Sequence, residues 1–236
     1  MDSLKDDAEA AHVQDEIGRS ALDAQARHWE STLATKPEMF GRDPSEPARR
    51  SAAEFKVAGL HRVLELGGGQ GRDSLFFAAE GFAVHVLDYA PAGIEAIHRR
   101  AEQGGLASRL TGAQHDVRRP LPIADTSVDA CYSHMLFCMA LTTPELEALS
   151  REVLRVLRPG GLCVYTVRNT SDADFGRGIP RGEALYENQG FIVHFFDRPM
   201  VERLARGFEL IGVEELEEGK LPRRLFRVVL RKPADR

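Results

Sequence analysis

The sequence predicts an α/β chain built on a doubly wound, largely parallel sheet, and three observations carry that prediction. After Gly59, short runs rich in β-branched and aliphatic residues alternate with runs of helical periodicity, a pattern that places helices on both faces of a parallel sheet. A glycine cluster, "ELGGGQG" at 65–71, falls between the first strand-like run and the first helix-like run. In such sheets ligands sit at the carboxyl ends of strands where the strand order reverses. Finally, "FELIGVEELEE" and "LFRVVLRK" are both strand-like with only a loop between them, so they pair as an antiparallel hairpin at a sheet edge.

The elements follow in order. From Ala8 to about Leu33 the chain is rich in Ala, Glu, Asp and Gln, with Val13, Ile17, Leu22 and Trp29 at loosely helical spacing, which predicts a helix after a frayed start. The prolines and glycine of "TKPEMFGRDPSEPARR" break it, and Ser45 with Pro47 restarts a helix as cap and first turn. "RVLEL" and "AVHVLD" read as buried strands, and "DSLFFAAEG" and "PAGIEAIHRRAEQGG" as helices that stop at glycines. A short strand near "RLTGAQHD", a strand at "VDACYSHML", a helix from Pro144 to Leu157, a turn at "RPGG", a strand at "LCVYTVR" and a helix at "RPMVERLARG" complete the series. The stretch "NTSDADFGRGIPRGEALYENQG" reads as a long glycine-rich connection; long loops of this kind are often functional, so it is expected to shape a substrate mouth.

Composition narrows the function classes. A chain of 236 residues with 43% hydrophobic content buries a substantial core in one unit. Residues 1–50 are expected to form a helical cover or lid and 51–236 a single compact domain. Net charge is −5 and the basic residues are scattered, which is not the footprint of a nucleic-acid binder. Cys131, Cys138 and Cys163 lie in apolar runs without zinc spacing, so no metal site is expected and a reducing compartment is. The acidic start lacks a signal-peptide pattern, and no run approaches the roughly 18 apolar residues of a membrane span. The expectation is a cytoplasmic monomer or homodimer with no membrane or nucleic-acid partner.

The glycine loop excludes one common cofactor. A nicotinamide site needs GxGxxG, but from Gly67 the sixth position is Arg72, and from Gly69 it is Ser74. What the loop does show is Glu65 followed by Gly67, Gly69 and Gly71 at alternate positions, with a second acid, Asp88, closing the next strand. This combination resembles the class I S-adenosylmethionine-dependent methyltransferases over about residues 60–168. "HDVRRPLP", "DTSVDACYSHML", "LSREVLRVLRPGGLCVYTVR" and the terminal hairpin stand in that family's order. The resemblance implies a Rossmann-like seven-stranded sheet of order 3-2-1-4-5-7-6 with the last strand antiparallel. It implies S-adenosylmethionine as cofactor and S-adenosylhomocysteine as product. It assigns Gly67, Gly69 and Gly71 to the backbone cradle, Glu65 to the methionine end, Asp88 to the ribose, Tyr89 to the adenine face, and Asp116 with the Val117 backbone to the adenine edge. Arg72 and Asp73 either cap the following helix or touch the ligand.

A narrower likeness is to the small-molecule branch that includes tellurite-resistance and thiopurine-type methyltransferases. The implied acceptor is a thiol, a metalloid oxyanion or a compact metabolite. Residues just past the fourth and fifth strands face the transferable methyl in that architecture, which makes His134 a candidate base or substrate ligand and Arg168 a candidate anion ligand, beside Met135, Cys138 and Asn169. Trp29, Met39, Phe40 and Arg42, and separately Tyr186, His194, Phe195 and Phe196, form clusters suited to a lid. The asparagine-proline-proline-tyrosine motif of nucleobase and amide N-methylation is absent where "SHML" stands. A catalytically silent S-adenosylmethionine-binding regulatory module is the alternative reading of the same motifs.

Overall fold

The computed structural model describes the backbone of residues 3–219 and 223–234, and side chains from residue 19 onward within those limits. Helix α1 spans Ser3–Thr35 and α2 Glu46–Val57; the side chains of Val13 and Ile17 lie outside the described residues. Ser45 caps α2 by accepting the N–H of Ala48, and Pro47 sits in its first turn, where a missing N–H costs nothing.

Strand β1 (Arg62–Leu66) leads through the glycine loop into α3 (Arg72–Ala79), then β2 (Ala83–Asp88), α4 (Pro91–Gln103), β3 (Leu110–Gln114), β4 (Val128–His134), α5 (Thr143–Val156) and β5 (Leu157–Arg168). Helix α5 begins with a capping box between Thr142 and Glu145. Three short strands follow, β6 (Ile179–Pro180), β7 (Leu185–Asn188) and β8 (Phe191–His194), then α6 (Arg198–Leu204), β9 (Glu209–Glu218) and β10 (Arg223–Arg231).

Seven strands form one sheet in the order β3-β2-β1-β4-β5-β10-β9. β10 runs antiparallel to both of its neighbours, β5 and β9, and the pairs among β1 to β5 are parallel. Counted within this sheet the order is 3-2-1-4-5-7-6, as expected. The period of two along each strand divides the core. Leu64, Leu66, Cys131 and Tyr165 pack into one cluster with α5 and α6 residues. Val63, Val86, Tyr132 and Val164 pack into the other with Phe55 of α2, Phe77 of α3 and Ile97 of α4.

Two local readings differ from the structure. "RPGG" is not a turn before a strand but an irregularity within β5: the pairing with β4 jumps from Val128↔Leu157 to Ala130↔Leu162, and Gly160 takes φ 79° there. The stretch expected as an open connection folds back as a three-stranded antiparallel sheet, β6-β7-β8. Its tight hairpin turns at Gln189 (φ 52°) and Gly190 (φ 83°), the paired left-handed conformation that matches strand twist. Helix α1 docks on this small sheet through Gln25, whose amide donates to the Gly190 carbonyl and accepts the Ile192 N–H, completing the hairpin edge as a strand backbone would.

Candidate active site

The site starts from backbone. Gly67, Gly69 and Gly71 adopt φ of 75°, 54° and 84°, a region that costs L-residues energy. Space is a second constraint: a Cβ on Gly67 would lie 2.6 Å from Leu136, and one on Gly71 2.7 Å from Ile97. Gly67 and Gly71 therefore reflect both conformation and close packing at the carboxyl end of β1, and Gly69, with nothing nearer than 3.8 Å, conformation alone.

Two carboxyls lie against this loop. The Asp88 carboxylate accepts the N–H of Gly69 at 2.8 Å and that of Ala90 at 2.9 Å. Burial pushes its pKa up to about 6 against those two hydrogen bonds. Glu65 is 2% exposed, and its Oε2 has no hydrogen-bond partner. Burial first, then the neighbouring Asp73 and Asp88 charges, push Glu65 up to about 8. Asp73 is spent structurally. It accepts the Ser45 N–H and hydroxyl at 2.8 and 2.7 Å and the Tyr132 hydroxyl at 3.1 Å, fastening the start of α2 to the start of α3. The residue that caps α3 is Gly71, which offers no side chain.

Around the β2 end, the Tyr89 carbonyl accepts the Gln114 amide at 3.1 Å, and burial raises the Tyr89 phenol. The Asp116 carboxylate is held by Arg118 through its N–H and guanidinium, and Arg118 also pairs with Asp23 of α1. Val117 is buried.

The segment after α1 covers the loop. Gln70, at the centre of the glycine run, donates to the carbonyls of Leu33 and Lys36 at 2.9 Å each and accepts the Met39 N–H at 3.1 Å. Arg72 donates to the Phe40 carbonyl, and the Phe40 ring lies 3.8 Å from where a Gly69 Cβ would be. Trp29 packs between Phe40 and Phe191, with centroids 6.3 and 4.8 Å away. Arg42 pairs with Glu38 on the exposed side.

At the acceptor end, His134 closes β4. Its Nδ1 lies 2.8 Å from Thr166 Oγ1 and its Nε2 3.3 Å from Glu218 Oε2. Burial works against ionisation of Glu218, but the His134 hydrogen bond and the charges of His134, Arg72 and Arg223 outweigh it and hold its pKa below the usual range. Met135 follows at φ 71°, a strained conformation for a long side chain. Arg168 ends β5 with its guanidinium committed to Asp172 and Asp174 and stacked 5.1 Å over the Phe195 ring. Phe195 in turn packs with Phe175 and Tyr186. Asn169 bridges to Phe196, which is fully buried. Cys138 is buried, its thiol pointing at the Met135 carbonyl and pushed up to about 11 by burial. His194 is also fully buried, with Nδ1 2.8 Å from the Leu141 carbonyl, so it belongs to the joint between the small sheet and the core. Glu218, Thr166 and Gln70 were not candidates from sequence; each acts through a partner distant in the chain. Among the described residues no group of three or more His, Cys, Asp or Glu could hold a metal ion, and no helix is long and apolar enough to cross a membrane.

The sheet order, the glycine cradle and the strand-end acid are arranged as in the Rossmann-like methyltransferase fold. Residues 63–161 match the family described as a methyltransferase domain, and S-adenosylmethionine is the cofactor of this domain. The chain is 31% identical over 176 residues to 24-methylenesterol C-methyltransferase 2 of Oryza sativa subsp. japonica, covering 66% of this chain and 46% of that protein. It spans about half the length of the curated relatives it matches. Among solved structures, the N-methyltransferase NodS from Bradyrhizobium japonicum WM9, in complex with S-adenosylhomocysteine, superposes with a TM-score of 0.66 at 14% identity, covering 88% of this chain and 97% of that one. The [4+2]-cyclase SpnF superposes with the same TM-score of 0.66 at 18% identity, covering 94% and 97%. At these identities the likeness shows the fold alone. The residues at the loop fit the cofactor on two counts: a cradle in which a Cβ at Gly67, Gly68 or Gly71 would collide with its neighbours, and the buried, unpartnered Glu65 oxygen beside it.

Proposed function

We propose that this protein transfers a methyl group from S-adenosylmethionine to a small-molecule acceptor held beneath α1, the segment 36–45 that follows it, and the β6-β7-β8 sheet. The observation that carries the reading is the Gly69–Asp88 hydrogen bond, which fixes the Asp88 carboxylate at the end of β2 with lone pairs remaining for ribose hydroxyls. Gly67, Gly69 and Gly71 admit the methionine portion, Glu65 complements its ammonium, Tyr89 lies against the adenine, and the Val117 backbone reads the adenine edge. Because Arg118 occupies the Asp116 carboxylate, Asp116 acts by setting the course of that backbone.

When bound, the cofactor supplies an electrophilic methyl on a sulfonium. The protein's part is alignment and exclusion of water. Phe40, seated over Gly69, and Gln70, holding the loop that carries Phe40, form the closure on the cofactor side. Tyr186 and Phe195 form the wall on the other side. Arg168 is neutralised by Asp172 and Asp174, so a free cation for a metalloid oxyanion is missing at that position and an uncharged thiol or compact metabolite suits the site better. The buried free cysteines suit a reducing, cytoplasmic setting.

Calorimetric titration with S-adenosylmethionine tests the cofactor half of the proposal; no binding by the wild type would sink it. Release of S-adenosylhomocysteine across a panel of thiols, phenols and oxyanions tests the transfer half. Binding without turnover on any acceptor would favour a non-transferring use of the same fold, as the cyclase comparison illustrates.

A further inference from the structure

The first turn of α4 is closed by two carboxylates from different parts of the chain. Its N-cap is Ala90, which has no polar side chain to cap with, and Pro91 follows with no N–H to give. The two amides that flank Pro91 are both taken by acids: the Ala90 N–H donates to Asp88 Oδ1 at 2.9 Å, and the Ala92 N–H donates to Glu30 Oε2 at 3.1 Å. Those amides are two residues apart, so the carboxylates are anchored at points no more than about 7 Å apart. Helix α1 brings Glu30 there. Leu33, one turn further along the same face, lies 3.4 Å from where a Gly93 Cβ would be, and the Gly69 carbonyl lies 2.5 Å from that position. Trp29 packs on Phe40, which sits over Gly69. Residues 29–33 therefore lie across the seam that Asp88 bridges through Gly69 and Ala90. As a cap alone an acid is a costly choice here. The Glu30 charge opposes ionisation of Asp88, which a neutral capping side chain would not do.

We infer that Glu30 is a second ribose-binding carboxylate, facing Asp88 across this seam, so that the vicinal diol of S-adenosylmethionine donates one hydroxyl to each acid. This rests on the placement of the cofactor's ribose at Asp88 given above. Each acid keeps the acceptor capacity the contact needs. Asp88 spends one lone pair on each oxygen, on Gly69 and on Ala90, and Glu30 holds Ala92 through Oε2, leaving Oε1. The hydroxyls put the positive ends of their O–H bonds between two like charges, so the repulsion of the ligand-free pair is relieved on binding. Because Glu30 belongs to α1, the ribose fastens the cover to the cofactor. Gln25 of the same helix holds Gly190 and Ile192 at the β7-β8 hairpin, so the cofactor steadies α1 and, through it, the hairpin on the acceptor side.

Calorimetry with S-adenosylhomocysteine and its 2′-deoxy and 3′-deoxy analogues separates a ligand contact from a helix cap. Glu30→Ala should weaken S-adenosylhomocysteine binding about tenfold. One of the two deoxy analogues, the one lacking the hydroxyl that Glu30 holds, should bind wild type and variant alike. A loss of the same size for all three ligands would mean that Glu30 acts only as a cap, and no loss for any of them would remove it from the site. Glu30→Gln keeps an oxygen for the Ala92 N–H, so it should unfold at the wild-type temperature and show the same pattern at reduced size, which keeps the test decisive if Glu30→Ala folds poorly. Hydrogen exchange gives a second readout. S-adenosylhomocysteine should slow exchange at residues 28–35 and 189–192 as well as at 67–71 in the wild type, and at 67–71 alone in Glu30→Ala. Equal protection of 28–35 in both proteins would refute the contact. Failure of the wild type to bind any of the three ligands would sink the cofactor reading and this inference with it, whereas binding that ignores Glu30 would sink this inference only.

Discussion

The N–H of Gly69 donates to the Asp88 carboxylate at 2.8 Å, which makes the loop after β1 and the end of β2 one hydrogen-bonded unit. The same carboxylate takes the Ala90 N–H at 2.9 Å, so its orientation is fixed from both sides. Hydrogen bonds to charged groups are worth about 1.5–3 kcal/mol each. Asp88→Ala is therefore expected to weaken S-adenosylmethionine binding by roughly 10- to 100-fold, since the loop loses its anchor and the ribose its acceptor. Asp88→Asn, which keeps one acceptor oxygen, should fall between. Titration calorimetry checks both; equal affinity in wild type and Asp88→Ala would remove Asp88 from the site.

Gln70 couples the cradle to its cover. Its side chain holds the Leu33 and Lys36 carbonyls and the Met39 N–H, while its own carbonyl accepts Arg100 of α4 at 2.8 Å. Gln70→Ala should raise hydrogen exchange at residues 36–42 at least tenfold, a loss of about 1.4 kcal/mol of local protection. It should weaken cofactor binding less than Asp88→Ala does. Unchanged exchange would mean that the segment is held by Phe40 and Arg72 alone.

Arg168 tests the distinction between a ligand and a scaffold. Its guanidinium pairs with Asp172, which is buried and also accepts the Arg224 N–H at 2.8 Å. Removing one partner of a buried pair strands the other charge, typically at about 3–5 kcal/mol. Arg168→Ala should accordingly lower the denaturant midpoint markedly, and Arg168→Lys should recover only part, because an ammonium cannot span both carboxylates. Were stability unchanged and only an acceptor KM raised, Arg168 would be a substrate ligand after all.

The parts of this molecule legible from sequence are those whose signals are local. The alternation of "RVLEL" and "AVHVLD" with helical runs gave the sheet, and the spacing of Glu65, Gly67, Gly69 and Gly71 marked the loop. The β6-β7-β8 sheet was hidden because glycines and acids around Asp172, Gly178 and Gly182 dominate the composition there. Its one short-range signal is "YENQGFIV", a two-residue turn between apolar positions. The partners of His134, Arg168 and Gln70 were illegible for another reason. Glu218 meets His134 only because β9 ends on the same side of the sheet as β4, and Asp172 meets Arg168 only because the chain curls back after β5. Nothing at the sequence position of Arg168 separates a committed guanidinium from a free one.

The buried carboxyl of Glu65 makes the last prediction, and its sign follows from linkage. Its pKa rises from 4.5 to about 8 in the folded protein, chiefly through burial. Between those values the folded chain holds a proton that the unfolded chain has lost, so stability falls as pH rises across the window and the full cost is present above it. Asp88, raised from 3.8 to about 6, acts in the same direction at lower pH. The ligand-free protein should therefore lose stability from about pH 5 to pH 8. Glu65→Gln should flatten that slope and stabilise the protein at pH 7 by on the order of 3 kcal/mol. Binding reverses the pressure: a carboxyl that complements the cofactor's ammonium must ionise, so at pH 7 the wild type should release up to one proton on taking up S-adenosylmethionine. The binding heat should then vary with the ionisation enthalpy of the buffer, and in Glu65→Gln that variation should disappear. A wild-type heat independent of buffer would show that Glu65 stays protonated in the complex and that the ammonium is met by other groups.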